Sequence, residues 1–275
     1  TKTFKPTGGD KRKVVVVGGG VAGMEAARIL ALRGFTPVLF EENAQLGGQV
    51  SLSTAIPHKD KMNWYLDYQT KQLQKLKVDV RLQTKATLDM IQQEEPYAVI
   101  DATGATPFVP KRFQKEGFVY DPKQILSGEV VLQGKHMIVI GSGLTGLETA
   151  LYLVHQGNYV TVVDMEDKIA KNAYWVTVND VTKYLKTFDV TYFTKMQLQE
   201  IAEGYVLLKD LDNQNELVKL PADGVVLSLG FKAQSPLQAS LQATFERYYA
   251  IGDRAKEARI KEAVHAGYQV ATQLI

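Results

Sequence analysis

One pattern of apolar run, glycine cluster and helix occurs twice in this chain of 275 residues. Lys-Val-Val-Val-Val-Gly-Gly-Gly-Val-Ala-Gly-Met-Glu-Ala-Ala fills 13–27, and His-Met-Ile-Val-Ile-Gly-Ser-Gly-Leu-Thr-Gly-Leu-Glu-Thr-Ala fills 136–150. Setting Gly18 on Gly141 also superposes Gly20 on Gly143, Gly23 on Gly146, Glu25 on Glu148 and Ala27 on Ala150, with no gap. The same offset goes on to match Gly34 with Gly157 and Glu41 with Asp164. A repeat of this kind constrains the fold before anything else does, because the chain must build one supersecondary unit twice.

Each copy follows the same physical grammar. Val14–Val17 and Met137–Ile140 are unbroken apolar runs, the signature of strands buried on both faces. Ala22, Ala26, Ile29 and Leu30, and in the second copy Leu147, Ala150, Leu151 and Val154, then recur at helical spacing until Gly34 or Gly157 ends the helix. A second apolar strand follows, Thr36–Phe40 or Tyr159–Val163, and an acid closes it. The first glycine of each set permits the tight strand-to-helix turn, the second lets a pyrophosphate approach the backbone, and the third lets helix and strand pack closely. The N–H groups of the first turn, Val21, Ala22 and Gly23 or Leu144, Thr145 and Gly146, then face an anion at the positive end of the helix dipole. Glu41 and Asp164 stand where they can accept from ribose hydroxyls. The fold class expected is α/β, with two Rossmann-like dinucleotide-binding domains.

Other segments fit around the copies. Leu46-Gly47-Gly48-Gln49 follows Glu41-Glu42 and again allows close backbone approach to a ligand. Lys59–Leu76 reads as an amphipathic helix, Val78–Gln83 as a strand, Leu88–Gln93 as a short helix, and Tyr97–Thr103 as an apolar strand running into Ala102-Thr103-Gly104. Pro107 and Pro110, followed by the mixed charges of Lys111–Lys115, mark a crossing between domains. Trp175–Phe188 reads as a helix and Val190–Phe193 as a strand, while 197–220 alternates like a hairpin or meander. Val225–Gly230 is a further buried strand. Near the end, Tyr248–Asp253 places Gly252 and Asp253 after an apolar strand, and Arg259–Leu274 reads as the last helix.

Composition removes several alternatives. Zero cysteines exclude disulfides, thiolate nucleophiles and Cys-ligated zinc or iron–sulfur clusters within these residues, so redox chemistry needs an organic cofactor. The formal charge of +2, with acids and bases interspersed, leaves no basic face for nucleic acid. No apolar run approaches a membrane span, and the polar start Thr1–Lys13 is unlike a signal peptide, so a cytoplasmic location is expected. A first residue of Thr rather than Met suggests processing or a piece of something longer. His58, His136, His155 and His265 are scattered without metal-ligand spacing, and no metal is expected; His265 is the histidine to watch near a bound cofactor.

The first glycine set, Leu46–Gln49, Ala102–Pro107, the second glycine set Gly141–Ala150 and Ala250-Ile251-Gly252-Asp253, in that order, resemble the two-dinucleotide-binding-domain flavoproteins. Gly-Met-Glu-Ala-Ala and Glu262–Gly267 bring the chain closer to the C-terminal FAD/NAD(P)-binding half of the old-yellow-enzyme-like 2,4-dienoyl-CoA and enoate reductases and of trimethylamine dehydrogenase. The likeness runs from Lys13 over nearly the whole chain. It implies that Gly18, Gly20, Gly23 and Glu41, with Glu42 beside it, hold the ADP part of FAD. Gly47, Gly48 and Gln49 would lie near the pyrophosphate and ribityl chain, Ala102, Thr103 and Gly104 would pass beneath the cofactor, and Asp253, after Gly252, would bind a ribityl hydroxyl. Gly141, Gly143, Gly146 and Asp164 would hold the nicotinamide dinucleotide, with Gly230 close by. The resemblance also implies that an NAD(P) domain, 109–223, is inserted into a discontinuous FAD domain, 1–108 and 224–275. Three departures stand out: these 275 residues include neither the FMN-binding barrel that precedes the module in that family nor any cysteine for its iron–sulfur cluster, Phe231-Lys232 replaces an Arg-Pro common after the glycine at 230, and one relative keeps only ADP where FAD would sit.

The expected chemistry is hydride transfer from nicotinamide to flavin, in which the cofactors supply the reactive atoms and no protein acid, base or nucleophile is needed. Asp164 suits the free 2′-hydroxyl of NADH and repels the 2′-phosphate of NADPH, and Met165-Glu166-Asp167 offers no arginine; only Lys168 or Lys171, folded back, would reverse that preference. The principal expectation is an NADH-dependent flavin oxidoreductase module that feeds an FMN/Fe-S barrel, in the same polypeptide or a partner, for reduction of an activated alkene such as an enoate or enoyl-CoA. The alternatives are a non-catalytic ADP- or dinucleotide-binding domain and a free-standing diaphorase or ferredoxin reductase.

Overall fold

The computed structural model describes residues 8–171, 173–233 and 235–275; the first seven residues of the polar start lie outside the described residues. The chain forms two compact units. One takes the chain up to Thr54, Lys61–Thr106 and Lys232–Ile275, and the other takes Ala55–Asp60 and Pro107–Phe231.

The first unit is built on a five-stranded parallel sheet, in spatial order Tyr248–Ala250, Ala98–Asp101, Lys13–Val17, Thr36–Phe40, Asp79–Arg81. Val14, Val15 and Val16 have no exposed surface, as an unbroken valine run in a sheet covered on both faces requires. Ile29, Leu30, Leu39 and Ile100 share one core cluster with Val14 and Val16, and Val15, Val17, Val38 and Phe40 share another with Ile91 and Leu241. Helix Val21–Leu32 packs on the terminal helix Ile260–Gln273. That contact is close because Gly267 has no side chain: a Cβ there would lie 2.3 Å from the Ala22 carbonyl oxygen.

The second unit repeats the plan with a parallel sheet in the order Val119–Tyr120, Gly224–Leu227, His136–Ile140, Tyr159–Val163, Thr191–Phe193. Helix Leu144–His155 follows its glycine turn. The alternating stretch folds as the three-stranded antiparallel meander Met196–Ala202, Tyr205–Asp210, Leu217–Pro221. Leu198, Val206 and Leu208 face the unit's core with Ile138 and Val225.

Two boundaries differ from those expected. Strand Gly224–Leu227, assigned to the first domain from sequence, pairs along its length with His136–Ile140, so the chain leaves the second unit only after Phe231. The amphipathic helix starts at Met62 rather than Lys59, and Ala55–Asp60 belongs with the second unit. Among the described residues no helix is long and apolar enough to cross a membrane.

Candidate functional site

In the first unit Gly18 takes φ +104°, and a Cβ on it would lie 2.4 Å from the Ala102 carbonyl oxygen; on Gly23 it would lie 2.0 Å from the Gly18 oxygen. Those two glycines are demanded by the protein itself. Gly20 is different, since a Cβ there would meet nothing within 4 Å. It caps Val21–Leu32, whose first turn has no side-chain cap and no acidic residue. The short helices Leu88–Gln93 and Pro122–Leu126, by contrast, are capped by the side chains of Thr87 and Asp121. A helix start with its donors uncovered and open space in front is a cradle for an anion. The residues present therefore fit the diphosphate of a dinucleotide.

The cradle has an acid wall and a loop across it. Glu41, buried at the end of Thr36–Phe40, accepts from the Gly19 N–H at 2.7 Å through Oε2 and from the Asn43 N–H and Nδ2 at 2.8 and 2.6 Å through Oε1. Glu42 is exposed and stands outside this set. The Gly47 N–H donates to the Gly19 oxygen at 2.9 Å, and Gly48 lies against Gly20.

The second unit reproduces this site position for position. Gly141 has φ +100° and a Cβ on it would meet the Ser228 oxygen at 2.2 Å; on Gly146 it would meet the Gly141 oxygen at 2.0 Å; Gly143 again faces open space. Helix Leu144–His155 also starts with no side-chain cap and no acid in its first turn. Asp164 accepts from the Ser142 N–H and Oγ and from the Glu166 N–H. The Ala170 N–H donates to the Ser142 oxygen at 3.0 Å, as Gly47 does to Gly19, so the repeat extends to a pair not evident from the glycines. Ser228 and Gly230 occupy the places of Ala102 and Gly104: Ser228 and Ala102 each donate at 2.8 Å to the end of the central strand, and both glycines have positive φ.

Around the first cradle, three segments are tied together. Gln49 Nε2 donates to the Ala105 oxygen and to Asp253 Oδ2, each at 3.2 Å, and Asp253 Oδ1 accepts from the Ala258 N–H at 3.1 Å. Burial pushes the Asp253 carboxyl up, opposed by the Ala258 N–H. Sequence reasoning passed over the group beneath these loops. Asp101 is fully buried and pairs with Arg254, Nε to Oδ2, at 3.1 Å. Tyr248 donates to the same oxygen at 2.9 Å, and burial together with that hydrogen bond pushes its phenol up to about 12. Thr103 donates to Oδ1 from its hydroxyl at 2.6 Å and its N–H at 3.2 Å.

The glutamates matched by the repeat are both buried against cations. Glu25 holds Arg28 at 2.7 and 2.9 Å and accepts from Gln69 at 3.0 Å, whereas Glu148 pairs with Lys59. Burial raises the Glu148 carboxyl in spite of Lys59. Lys171, one of the two lysines that stood to reach a phosphate, is held by Glu166 and Asp167 at 2.9 Å each, which raises its ammonium. His265 is exposed on the terminal helix; His58 stacks on Tyr184 at 4.0 Å between ring centroids, and His136 on Tyr159 at 4.8 Å. Among the described residues no group of three or more His, Asp or Glu is placed to hold a metal ion.

Comparison with known proteins gives a consistent set of relatives. The family model described as pyridine nucleotide-disulphide oxidoreductase matches residues 12–269. Bilirubin reductase of Mediterraneibacter gnavus is 36% identical over 280 residues, covering 99% of this chain and 42% of that protein. NADH oxidase of Thermoanaerobacter brockii is 35% identical over 272 residues, covering 96% of this chain and 41% of that protein. The solved structure of a 2-naphthoyl-CoA reductase superposes with a TM-score of 0.91 at 29% identity, over 97% of this chain and 40% of that one. The chain thus spans about two fifths of the length of each of these three relatives.

Proposed function

Because the chain belongs to the pyridine nucleotide-disulphide oxidoreductase family, whose members bind FAD and a pyridine nucleotide, we propose that it is an NADH-dependent flavin reductase module. The disulphide part of that family's chemistry has no counterpart here, since the sequence contains no cysteine. The single observation that carries the proposal is the pair of equivalent cradles, each with an uncapped helix start, an open central glycine and a backbone-anchored acid.

In this reading the first cradle holds FAD: Gly18, Gly20 and Val21–Gly23 take the diphosphate, and Glu41 accepts from the ribose. Gly47, Gly48 and Gln49, with Ala102–Gly104 and Asp253, line the ribityl and ring side. Gly141, Gly143 and Leu144–Gly146 take the diphosphate of NADH, and Asp164 accepts from its adenosine ribose. The preference for NADH rests on Asp164 and on Lys171, which its own acidic neighbours already engage. FAD, when bound, accepts a hydride from a reduced nicotinamide and passes the electrons on, so the chain's own residues bind and orient and need supply no proton at the reacting atoms.

The onward acceptor we assign to an FMN- and iron–sulfur-containing domain or partner that reduces an activated alkene, an enoate or enoyl-CoA. Two features support this: relatives bear the names NADH oxidase, bilirubin reductase and cinnamate reductase, and each is more than twice as long as the region matched. The test is direct. Purified protein should show visible flavin absorbance, bleached by NADH in the absence of air. A colourless chain that binds ADP alone would instead establish a nucleotide-binding structural domain.

A further inference from the structure

Asp101 and Arg254 lie 153 residues apart and are the most completely buried ion pair described, with 0% and 3% of their side chains exposed. Replacing such a pair by apolar residues of similar volume is often neutral or stabilising, so its presence asks for a role beyond stability. Its position supplies one. Asp101 is the last residue of Ala98–Asp101, and the loop leaving that strand is Ala102–Ala105. Arg254 closes the turn Gly252–Arg254, which follows the edge strand Tyr248–Ala250.

These two loops are joined twice. Beneath, Asp101 Oδ1 takes both donors of Thr103 while Oδ2 takes Arg254 and Tyr248, and Arg254 reaches on to Gln238. Above, Gln49 bridges the Ala105 oxygen and Asp253. The result is a closed ring, Asp101–Thr103–Ala105–Gln49–Asp253–Arg254, with three of its sides in the segments assigned to the ribityl and ring side of FAD. The backbone holds the edge strand by three paired residues and two further bonds, from the Val99 N–H to the Arg247 oxygen and from the Ile251 N–H to the Asp101 oxygen, all of them before the turn Gly252–Arg254 begins.

We propose that Asp101 and Arg254 are positioning residues for the flavin, holding the Thr103 loop and the Asp253 turn at one spacing so that both engage the flavin half of FAD together. This rests on the assignment of FAD to the first cradle. The hydrogen bonds described for the two side chains go to Thr103, Tyr248, Gln238 and each other rather than to the fingerprint glycines or Glu41, which in this reading hold the ADP half, so the pair's effect separates the two halves of one ligand.

The experiment titrates the flavin-free chain of 275 residues with FAD and, separately, with ADP, reading flavin fluorescence for the first and calorimetry for the second. Arg254→Met should weaken FAD at least tenfold while ADP stays within twofold of the unaltered protein. Should the unpaired Asp101 prevent folding, Asp101→Leu with Arg254→Met removes both buried charges and should give the same selective loss, and Arg254→Lys should recover part of it. FAD bound as tightly as by the unaltered protein, or FAD and ADP weakened equally, would overturn the proposal. An unaltered chain that binds ADP but not FAD would overturn the assignment beneath it, a different and separately visible result.

Discussion

The Asp164 carboxylate accepts two hydrogen bonds from Ser142, one from the backbone N–H and one from Oγ, each 2.6 Å long. With the Glu166 N–H on its other oxygen at 2.9 Å, the carboxylate has one orientation at the mouth of the second cradle. A 2′-phosphate would meet that fixed negative charge. Asp164→Ser combined with Met165→Arg is therefore expected to move the NADH:NADPH ratio of kcat/KM toward NADPH by tenfold or more, about 1.4 kcal/mol. Ser142→Gly, which copies Gly19 of the first cradle, keeps the backbone donor and should change the ratio less than threefold. An unaltered ratio in the double variant would remove Asp164 from the nucleotide site.

The glycines divide by what a methyl group would meet. Gly18→Ala and Gly141→Ala force a Cβ onto a carbonyl oxygen from a left-handed backbone, and both should fail as folding variants in thermal melts. Gly20→Ala has room and a helical-side φ of −69°, so it should cost about 1 kcal/mol of stability or less, the cost of a poorer cap. With FAD in the first cradle, as proposed, the alanine methyl group would stand in the space of the diphosphate, and FAD affinity should fall at least tenfold. Gly143→Ala should do the same to NADH and leave FAD unchanged; a variant that keeps normal affinity for its nucleotide would empty that cradle of its function.

These contrasts explain how much was legible beforehand. Gly18, Gly23, Gly141 and Gly146 are local necessities, set by atoms within a few residues or in the adjacent strand, so a linear pattern carries them. Glu41 and Asp164 were legible for the same reason, since each closes a strand next to its own glycine turn. Asp101 and Arg254 carry no such signature: a lone acid in an apolar strand and an arginine after Gly-Asp become partners only when the chain end returns to the sheet. Lys59 stands at the start of a stretch whose apolar residues, set among polar ones, read as one amphipathic helix; its partner Glu148 is far off in sequence, and Ala55–Asp60 belongs with the second unit. Applying the repeat to contacts rather than letters would have found one further element, because Gly47 and Ala170 keep the same bond with a different side chain.

Asp253 should trade stability for binding. Burial raises its pKa above the ordinary Asp value of about 3.9. The folded chain then holds a proton that the unfolded chain releases first, and stability falls as pH rises from that value through the raised one. Asp253→Asn cannot ionise, so without flavin it should melt higher than the unaltered chain at pH 7, the gap closing below about pH 4 where both are neutral. FAD affinity should drop in the same variant. A variant that melts lower at pH 7 would mean that the bonds from Gln49 and Ala258 outweigh the burial.

Glu148 gives the complementary test, because its burial is opposed by a cation. Its pKa is raised even with Lys59 in place, and Lys59→Met removes the two influences that lower it, the attraction and the hydrogen bond. The raised group binds its proton more readily in the folded state, so the variant loses stability as pH climbs through the Glu148 pKa. Below the unfolded value of about 4.3 the carboxyl is protonated in either state, and the loss from its charge vanishes. Melting curves of Lys59→Met and the unaltered chain should therefore nearly coincide near pH 4 and diverge by pH 8. The divergence should stay under the roughly 3–5 kcal/mol of a fully buried pair, since 28% of the Lys59 side chain is exposed. Adding Glu148→Gln removes the titrating group and should flatten the pH dependence; a gap between Lys59→Met and the unaltered chain that is equal at both pH values would assign the loss to packing of the lysine stem instead.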